Sequence, residues 1–395
     1  MSRALARILC VLFSTLAGLW LASWAAERWL PLPALIFRID GELLFAPIPG
    51  ARRVLPLAAG SGGAWITTEF DAQGFRGRGV AASKIAPRVL VLGDSLVMAE
   101  TSRLEDTYCL RLAQHLGGEV EVVNAGVLGY GPDQECLLLE RLLGPLAPDL
   151  VVLVLCAHND FGDLVRDKLF RLDVREELVR NRPRLDPALL ARRRAAEIGA
   201  GRPALVRAFE RLGSGSAAPP PGDVRASDYI DMYLQRSQQE YSEFVEQRDD
   251  VVRGLFDDFY DADVALRPEQ PSALFKKRLM KAVLARVRDE CARRGVELLV
   301  LVVPSSVDLC PGYGIHVDPA RYPGWSPTGL TDAYTTILAE LALPFLDLTP
   351  AFRAVGAESL YMGRGDFHWN AAGEELGAQR TADCVRERAL LARPR

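Results

Sequence analysis

From residue 88 onward the chain alternates between short, almost unbroken Val/Leu runs and longer stretches with helical spacing. The runs are 88–93, 119–124, 149–156, 296–303 and 343–347, each bounded by turn-forming residues. A strand covered on both faces needs no polar alternation, so runs of this kind suit the interior of a parallel sheet. Between them the spacing predicts helices over 106–116, 132–143, 272–294 and 330–341, and a last one over 371–391. Parallel neighbours need crossovers of this sort, so the pattern predicts an α/β core, a parallel sheet between two helical layers.

Two stretches break the rhythm. Residues 161–271 are polar and rich in Arg, Asp and Glu, and read as an insertion rather than core. Within them 213–222 has the Gly/Ser/Pro composition of a surface loop, and 229–260 carries aromatics among charges, as an amphipathic helical cap would. Aromatics that simply pack the insertion onto the sheet would produce the same pattern. Residues 31–87 have frequent Pro and Gly and no long period, which predicts a stalk and lead-in of short strands and turns.

Ahead of these lies the strongest apolar signal. Residues 8–26 are 19 positions without a charge, preceded by Arg3 and Arg7. At about 1.5 Å per residue such a helix spans most of a hydrocarbon layer of roughly 30 Å. Trp20, Trp24 and Trp29 near its far end fit an interfacial belt, which favours an uncleaved single-pass anchor over residues 1–30. A signal peptide cut after Ala25 is the alternative. Because flanking cations stay cytoplasmic, both readings put 88–395 outside the cytoplasm, which is the periplasm if the cell is Gram-negative.

Composition narrows the chemistry. Of 395 residues 49% are apolar and 25% charged, enough for a large core, and the net charge of −4 argues against a nucleic-acid partner. Seven cysteines without a C-x-x-C pair make neither a disulfide scaffold nor a zinc site, and their spacing leaves any bridging open. The four histidines, His115, His158, His316 and His368, show no H-x-x-x-H spacing, so no metal site is predicted.

Ligands of open α/β sheets bind beyond the carboxyl ends of the strands, and four short signals fall at those ends. Gly93-Asp94-Ser95 closes the first run and exposes a serine. The second runs into Gly126, Gly129 and Gly131, where a backbone N–H can face an anion. The third ends at His158-Asn159-Asp160, with a neutral amide donor in Asn159. Before the last helix stands Asp366-Phe367-His368, an imidazole on a loop with a carboxylate two residues away, followed by Asn370 as N-cap. Each alone is an ordinary turn or cap. Together they place a nucleophile, a base and anion donors in one mouth. His158 reads as a mouth-lining residue, His115 as a helix C-terminal cation, and His316 as part of a turn-rich loop.

In this order the motifs resemble the SGNH, or GDSL-type, serine hydrolase superfamily, over roughly residues 88–385 with the insertion unmatched. The resemblance implies a three-layer, flavodoxin-like sheet. It further implies Ser95 as nucleophile, His368 as general base and Asp366 as its carboxylate, with the N–H groups of Ser95 and Gly129 and the Asn159 amide as oxyanion hole. The usual spacing of the family is D-x-x-H; the D-x-H found here resembles that of some membrane-associated members and alginate-type O-acetyltransferases. The implied activity is cleavage of an O-acyl ester, such as an O-acetyl group of an envelope or secreted polysaccharide, through an acyl-serine. The alternatives are an O-acyltransferase to a sugar hydroxyl and a noncatalytic polysaccharide-binding module. No metal or organic cofactor is required.

Overall fold

The chain enters through α1 (Arg3–Trp29), followed by two antiparallel hairpins, β1 (Phe37–Asp40) with β2 (Leu44–Pro47) and β3 (Arg52–Pro56) with β4 (Trp65–Glu69). The computed structural model describes residues 3–30, 34–56, 65–77, 79–81, 83–213, 226–363 and 366–391. Next come β5 (Arg88–Leu92), α2 (Ser95–Met98), α3 (Tyr108–His115), β6 (Glu121–Asn124), α4 (Pro132–Leu146), β7 (Leu150–Cys156) and α5 (Asp160–Asp167). The hairpin β8 (Phe170–Leu172) with β9 (Leu178–Arg180) and the short parallel pair β10 (Arg184–Leu185) with β11 (Val251–Val252) accompany α6 (Pro187–Ala200), α7 (Ala204–Gly213) and α8 (Ala226–Tyr241). Helices α9 (Ala262–Leu266) and α10 (Pro271–Arg294) lead to β12 (Glu297–Val303), and α11 (Ser306–Leu309) and α12 (Gly329–Glu340) to β13 (Phe345–Asp347). Then α13 (Thr349–Val355), the hairpin β14 (Tyr361–Gly363) with β15 (Asp366–Trp369), and α14 (Ala371–Glu387) follow.

The central sheet has five parallel strands in the order β13-β12-β7-β5-β6. In chain order this is 2-1-3-4-5, the flavodoxin-like winding, as the resemblance implied. Its side chains alternate between two cores. Leu90, Leu92, Leu153 and Val300 face α4 and α10, whereas Val91, Val152 and Leu301 face α3 and α14. Strands buried on both sides explain why the sequence shows unbroken Val/Leu runs. The winding reverses between β5 and β7, and the crevice of such a switch point lies beyond their carboxyl ends, where Ser95 and Asn159 stand.

Two expectations about the periphery are corrected. The described residues of 31–87 form short strands and, among them, no free stalk: Phe37, Phe45 and Phe70 lie in the same core as Leu90 and Leu153. The described residues of 161–271 likewise contribute to the core rather than standing apart from it, since Phe161, Leu164, Ile230, Tyr233 and Phe244 are all buried there. Its polar composition hid this, because the apolar positions are spread over several short elements. The expected cap helix over 229–260 ends at Tyr241 and passes through a wider turn at Ser242–Glu246. Its aromatics mostly pack inward, Tyr241 and Phe244 against Phe275. The loop expected at 213–222 lies, after residue 213, outside the described residues. All seven cysteines are free thiols, with Cys10 exposed and the other six buried.

A buried ion cluster fastens this region to the sheet layer. Lys276 Nζ donates to Asp261 at 3.1 Å and to Asp263 at 2.8 Å, and all three side chains are almost entirely sequestered. Asp261 also accepts the Phe161 N–H at 3.0 Å. Removing one partner strands buried charge, so Lys276→Met is expected to lower stability by about 3–5 kcal/mol in urea unfolding. Adding Asp261→Asn and Asp263→Asn to it should recover most of the loss.

Candidate active site

Ser95 opens α2 directly after β5 and is held there by close contacts that only glycine permits. A Cβ on Gly93 would fall 2.3 Å from Val97 Cγ2, and one on Gly126 would fall 2.5 Å from the Met98 nitrogen. Asn124, at the end of β6, donates to the Val97 carbonyl at 2.8 Å and accepts the Gly126 N–H at 3.0 Å, so β6 is stitched to α2. Asp94 caps the helix by accepting the Leu96 N–H at 2.8 Å. At the other end the buried Arg76 guanidinium donates to the carbonyls of Met98, Ala99 and Ser102. Sequence reasoning missed Arg76, which lies in the lead-in without any motif around it.

Asp366 and His368 lie on β15, a strand of a small hairpin, rather than on the loop the sequence suggested. In an extended strand residues i and i+2 share a face, so the two-residue spacing sets carboxylate and imidazole side by side. Asp366 Oδ1 lies 2.7 Å from His368 Nδ1 and also accepts the His368 N–H at 2.9 Å. His368 Nε2 lies 2.7 Å from Ser95 Oγ. With Nδ1–H donating to Asp366, Nε2 is left as the acceptor for the serine hydroxyl. The next residue anchors the strand: the buried Trp369 donates its Nε1–H to the Leu96 carbonyl at 3.0 Å and stacks on Tyr108.

Phe367 stacks on His158, with ring centroids 4.0 Å apart and planes 10° from parallel, and also on His368, with centroids 4.5 Å apart and planes 23° from parallel. His158 is buried, its Nδ1 lies 2.9 Å from Ser305 Oγ, and burial, with the charges of His368 and Arg166, pushes its pKa down to about 3. It supports β15 as a neutral ring. His115 ends α3 and pairs with Glu375 at 2.8 Å, and His316 is exposed.

The groups proposed for the oxyanion hole are arranged less simply. Gly129 takes φ 75°, and a Cβ there would lie 2.8 Å from the Leu255 carbonyl oxygen, so the insertion presses on this turn. The Asn159 amide donates to Asp163 at 2.7 Å and faces Asp258 Oδ1 at 3.4 Å. Asp160, beside it, accepts the Cys156 N–H and closes the strand end. Asp258 is a site residue that the sequence did not reveal: it stands in the insertion, 110 positions from His368, and nothing in its neighbourhood forms a motif.

Carboxylates dominate the electrostatics. Burial alone pulls the His368 imidazole toward neutrality, but the hydrogen bond and charge of Asp366, with the charges of Asp258 and Asp94, outweigh it and raise its pKa. Burial acts against the Asp366 carboxylate too, yet its bonds to His368 hold its pKa below the ordinary value. Asp94, fully buried beneath the serine, is pushed up to about 6 by desolvation.

A serine, an imidazole and a carboxylate are hydrogen-bonded in series at the switch point of a parallel sheet with helices on both faces, an arrangement chemically able to activate the serine hydroxyl. The family model described as SGNH hydrolase-like domain, acetyltransferase AlgX, matches residues 234–395, the part that carries Asp366 and His368. Gly93-Asp94-Ser95, which follows the first core strand, lies outside the matched residues. Among solved structures it is similar to TesA, at 13% identity and TM-score 0.36 over 77% of this chain and 99% of that one. It is also similar to the psychrotrophic esterase EstA from Pseudoalteromonas sp., at 11% and 0.36 over 76% and 98%. A third is the acetyl xylan esterase AlAXEase, at 12% and 0.35 over 76% and 98%. No curated protein sequence matches the chain.

The raised His368 pKa sets the direction of a pH test. An imidazole must be neutral to act as base, so a reaction using it gains rate as pH rises through that pKa. Asp258→Asn removes one charge that favours the imidazolium, and the acidic limb of kcat/KM is expected to move to lower pH. A limb that stays put separates Asp258 from His368.

Proposed function

We propose that this chain is a membrane-anchored, extracytoplasmic serine enzyme that removes an O-acyl group, such as O-acetyl, from an envelope or secreted polysaccharide through an acyl-Ser95 intermediate. The observation that carries the reading is the unbroken relay from Ser95 Oγ through both nitrogens of His368 to Asp366. A serine hydroxyl is a weak nucleophile until a base takes its proton. In this reading Ser95 Oγ attacks the ester carbonyl while His368 Nε2 takes the hydroxyl proton, and Asp366 stabilises the imidazolium. The proton then passes to the leaving sugar oxygen as the C–O bond breaks. Water, deprotonated by His368, releases the acid and restores Ser95.

Negative charge on the former carbonyl oxygen needs donors, and Ser95 N–H, Gly129 N–H and the Asn159 amide are the proposed set. For Asn159 this requires the substrate oxygen to replace Asp258 as partner of one amide hydrogen. The family match, whose description names an acetyltransferase, favours a second reading in which a sugar hydroxyl takes the place of water. The domain limits that accompany these readings are 1–30 for the anchor, 31–87 for the lead-in and 88–395 for the enzyme, with 161–271 inserted. Support for the anchor is α1, long and apolar enough to cross a membrane, with mean hydropathy 1.9 in its most apolar window and none of that window buried.

Wild-type protein is expected to be labelled by a fluorophosphonate probe, and Ser95→Ala to lose both labelling and ester cleavage; labelling that persists in Ser95→Ala overturns the nucleophile. Asn159→Ala should keep the fold and lose roughly a hundred- to a thousandfold in turnover. Incubation with an acyl donor and a glycan, followed by measurement of free acid against acylated glycan, separates hydrolysis from transfer.

A further inference from the structure

The one buried residue of α1 among those described is Ala26, and what covers it is the first turn of α7, through Ala204, Leu205 and Ala208. The next residue, Glu27, pairs with Arg207 of the same turn, and Arg207 Nε also donates to the Arg202 carbonyl at 3.0 Å. Arg52 on β3 also donates to the Glu27 carbonyl, at 3.4 Å. The end of α1 is therefore fastened to the turn that joins α6 to α7. Trp24 stands only two residues earlier, about 3 Å along the helix axis. If α1 spans a bilayer, as in the reading above on which this inference rests, the α6–α7 turn is held at the level where the helix leaves the hydrocarbon.

The composition of this helical pair suits that level. Residues 187–208 carry five arginines against one glutamate, in a chain whose net charge is −4. Arg193 pairs with Glu197, whereas Arg192 and Arg194 are exposed and, among the described residues, have no ion-pair partner. Beside them Ile198 is 68% exposed and Val206 41% exposed, large apolar side chains turned to the surface next to the membrane-level turn. Exposed aliphatics bordered by unpaired arginines are what a helix lying in a lipid headgroup layer presents, the aliphatics entering the acyl boundary and the guanidinium groups meeting phosphates.

We propose that the α6–α7 pair is a membrane-surface element that binds anionic phospholipid headgroups and fixes the orientation of the catalytic domain over the bilayer. The occupant follows from charge, since a zwitterionic surface offers no net attraction to Arg192 and Arg194. It follows also from continuity with α1, which brings the bilayer to this face.

The test uses the full-length chain in nanodiscs with Cys10→Ser, the other cysteines being buried, and a single fluorophore at Ile198→Cys or, as exposed control, at Val355→Cys on α13. Headgroup-nitroxide lipid serves as quencher. Quenching at position 198 is expected to exceed that at 355 severalfold in discs containing phosphatidylglycerol. It should fall toward the control value in pure phosphatidylcholine or after Arg192→Glu with Arg194→Glu. Equal quenching at the two positions overturns the proposal while leaving the anchor intact. Strong quenching at 198 that ignores both lipid charge and charge reversal overturns the recognition of anionic lipid. A chain that elutes apart from the discs removes the anchor and this inference together. If quenching is equal and charge reversal instead abolishes retention on an acidic glycan column, the surface belongs to polysaccharide and not lipid.

Discussion

An imidazole presents its two nitrogens on different edges of the ring, and His368 can serve Ser95 only while its other nitrogen is fixed. Asp366 does the fixing, and it can do so from two residues away because β15 is extended. In a helix residues i and i+2 point in different directions, and the same two side chains would not meet. The strand is itself secured by the two residues that flank His368: Trp369 is tied to the Leu96 carbonyl, and Phe367 lies flat on His158. Those contacts join the hairpin to α2 and to the loop after β7. The carboxylate, the imidazole and the hydroxyl come from distant parts of the chain, yet each depends on the others' elements for its position.

Much of this arrangement was legible in the sequence, for physical reasons that differ by element. The five core strands announce themselves because burial on both faces removes polar alternation, and each observed strand falls within the predicted run. Asn370 accepts the N–H groups of Ala372 and Gly373, the cap expected of that residue before a helix. The shortened D-x-H was visible as a spacing, but its geometry was not, since a four-residue strand in a small hairpin leaves no periodic signal. The burial of Phe37, Phe45 and Phe70 was hidden for the same reason. Arg76 and Asp258 were out of reach of motif reasoning altogether. One caps α2 and the other faces Asn159 from chain segments whose approach is created only by the fold.

The insertion has a double part in this structure. Toward the sheet it is core, fastened by Lys276 between Asp261 and Asp263. Toward the mouth, the Leu255 carbonyl presses on the Gly129 turn and Asp258 faces the Asn159 amide. The two ends of that span are linked through the backbone, because Asp261 donates its N–H to the His158 carbonyl at 2.8 Å. Any shift of residues 255–258 is therefore felt on both sides of the proposed oxyanion hole, and the fixed point against which they move is the loop that carries Asn159.

The carboxylates around His368 favour one charge of the proposed reaction and oppose the other. Asp94, Asp258 and Asp366 all stabilise an imidazolium, the form His368 takes once it holds the serine proton. The same negative charges disfavour an oxyanion forming nearby, and Asp258 is the one set against a proposed donor. A substrate carbonyl that displaces Asp258 from Asn159 relieves this conflict in a single step. It gains a preorganised N–H, and it moves the opposing carboxylate away from the developing charge. In the resting site the Asn159 amide lies between Asp163 and Asp258, so in the proposed reaction a substrate oxygen would take the place of Asp258 as partner of one of its hydrogens.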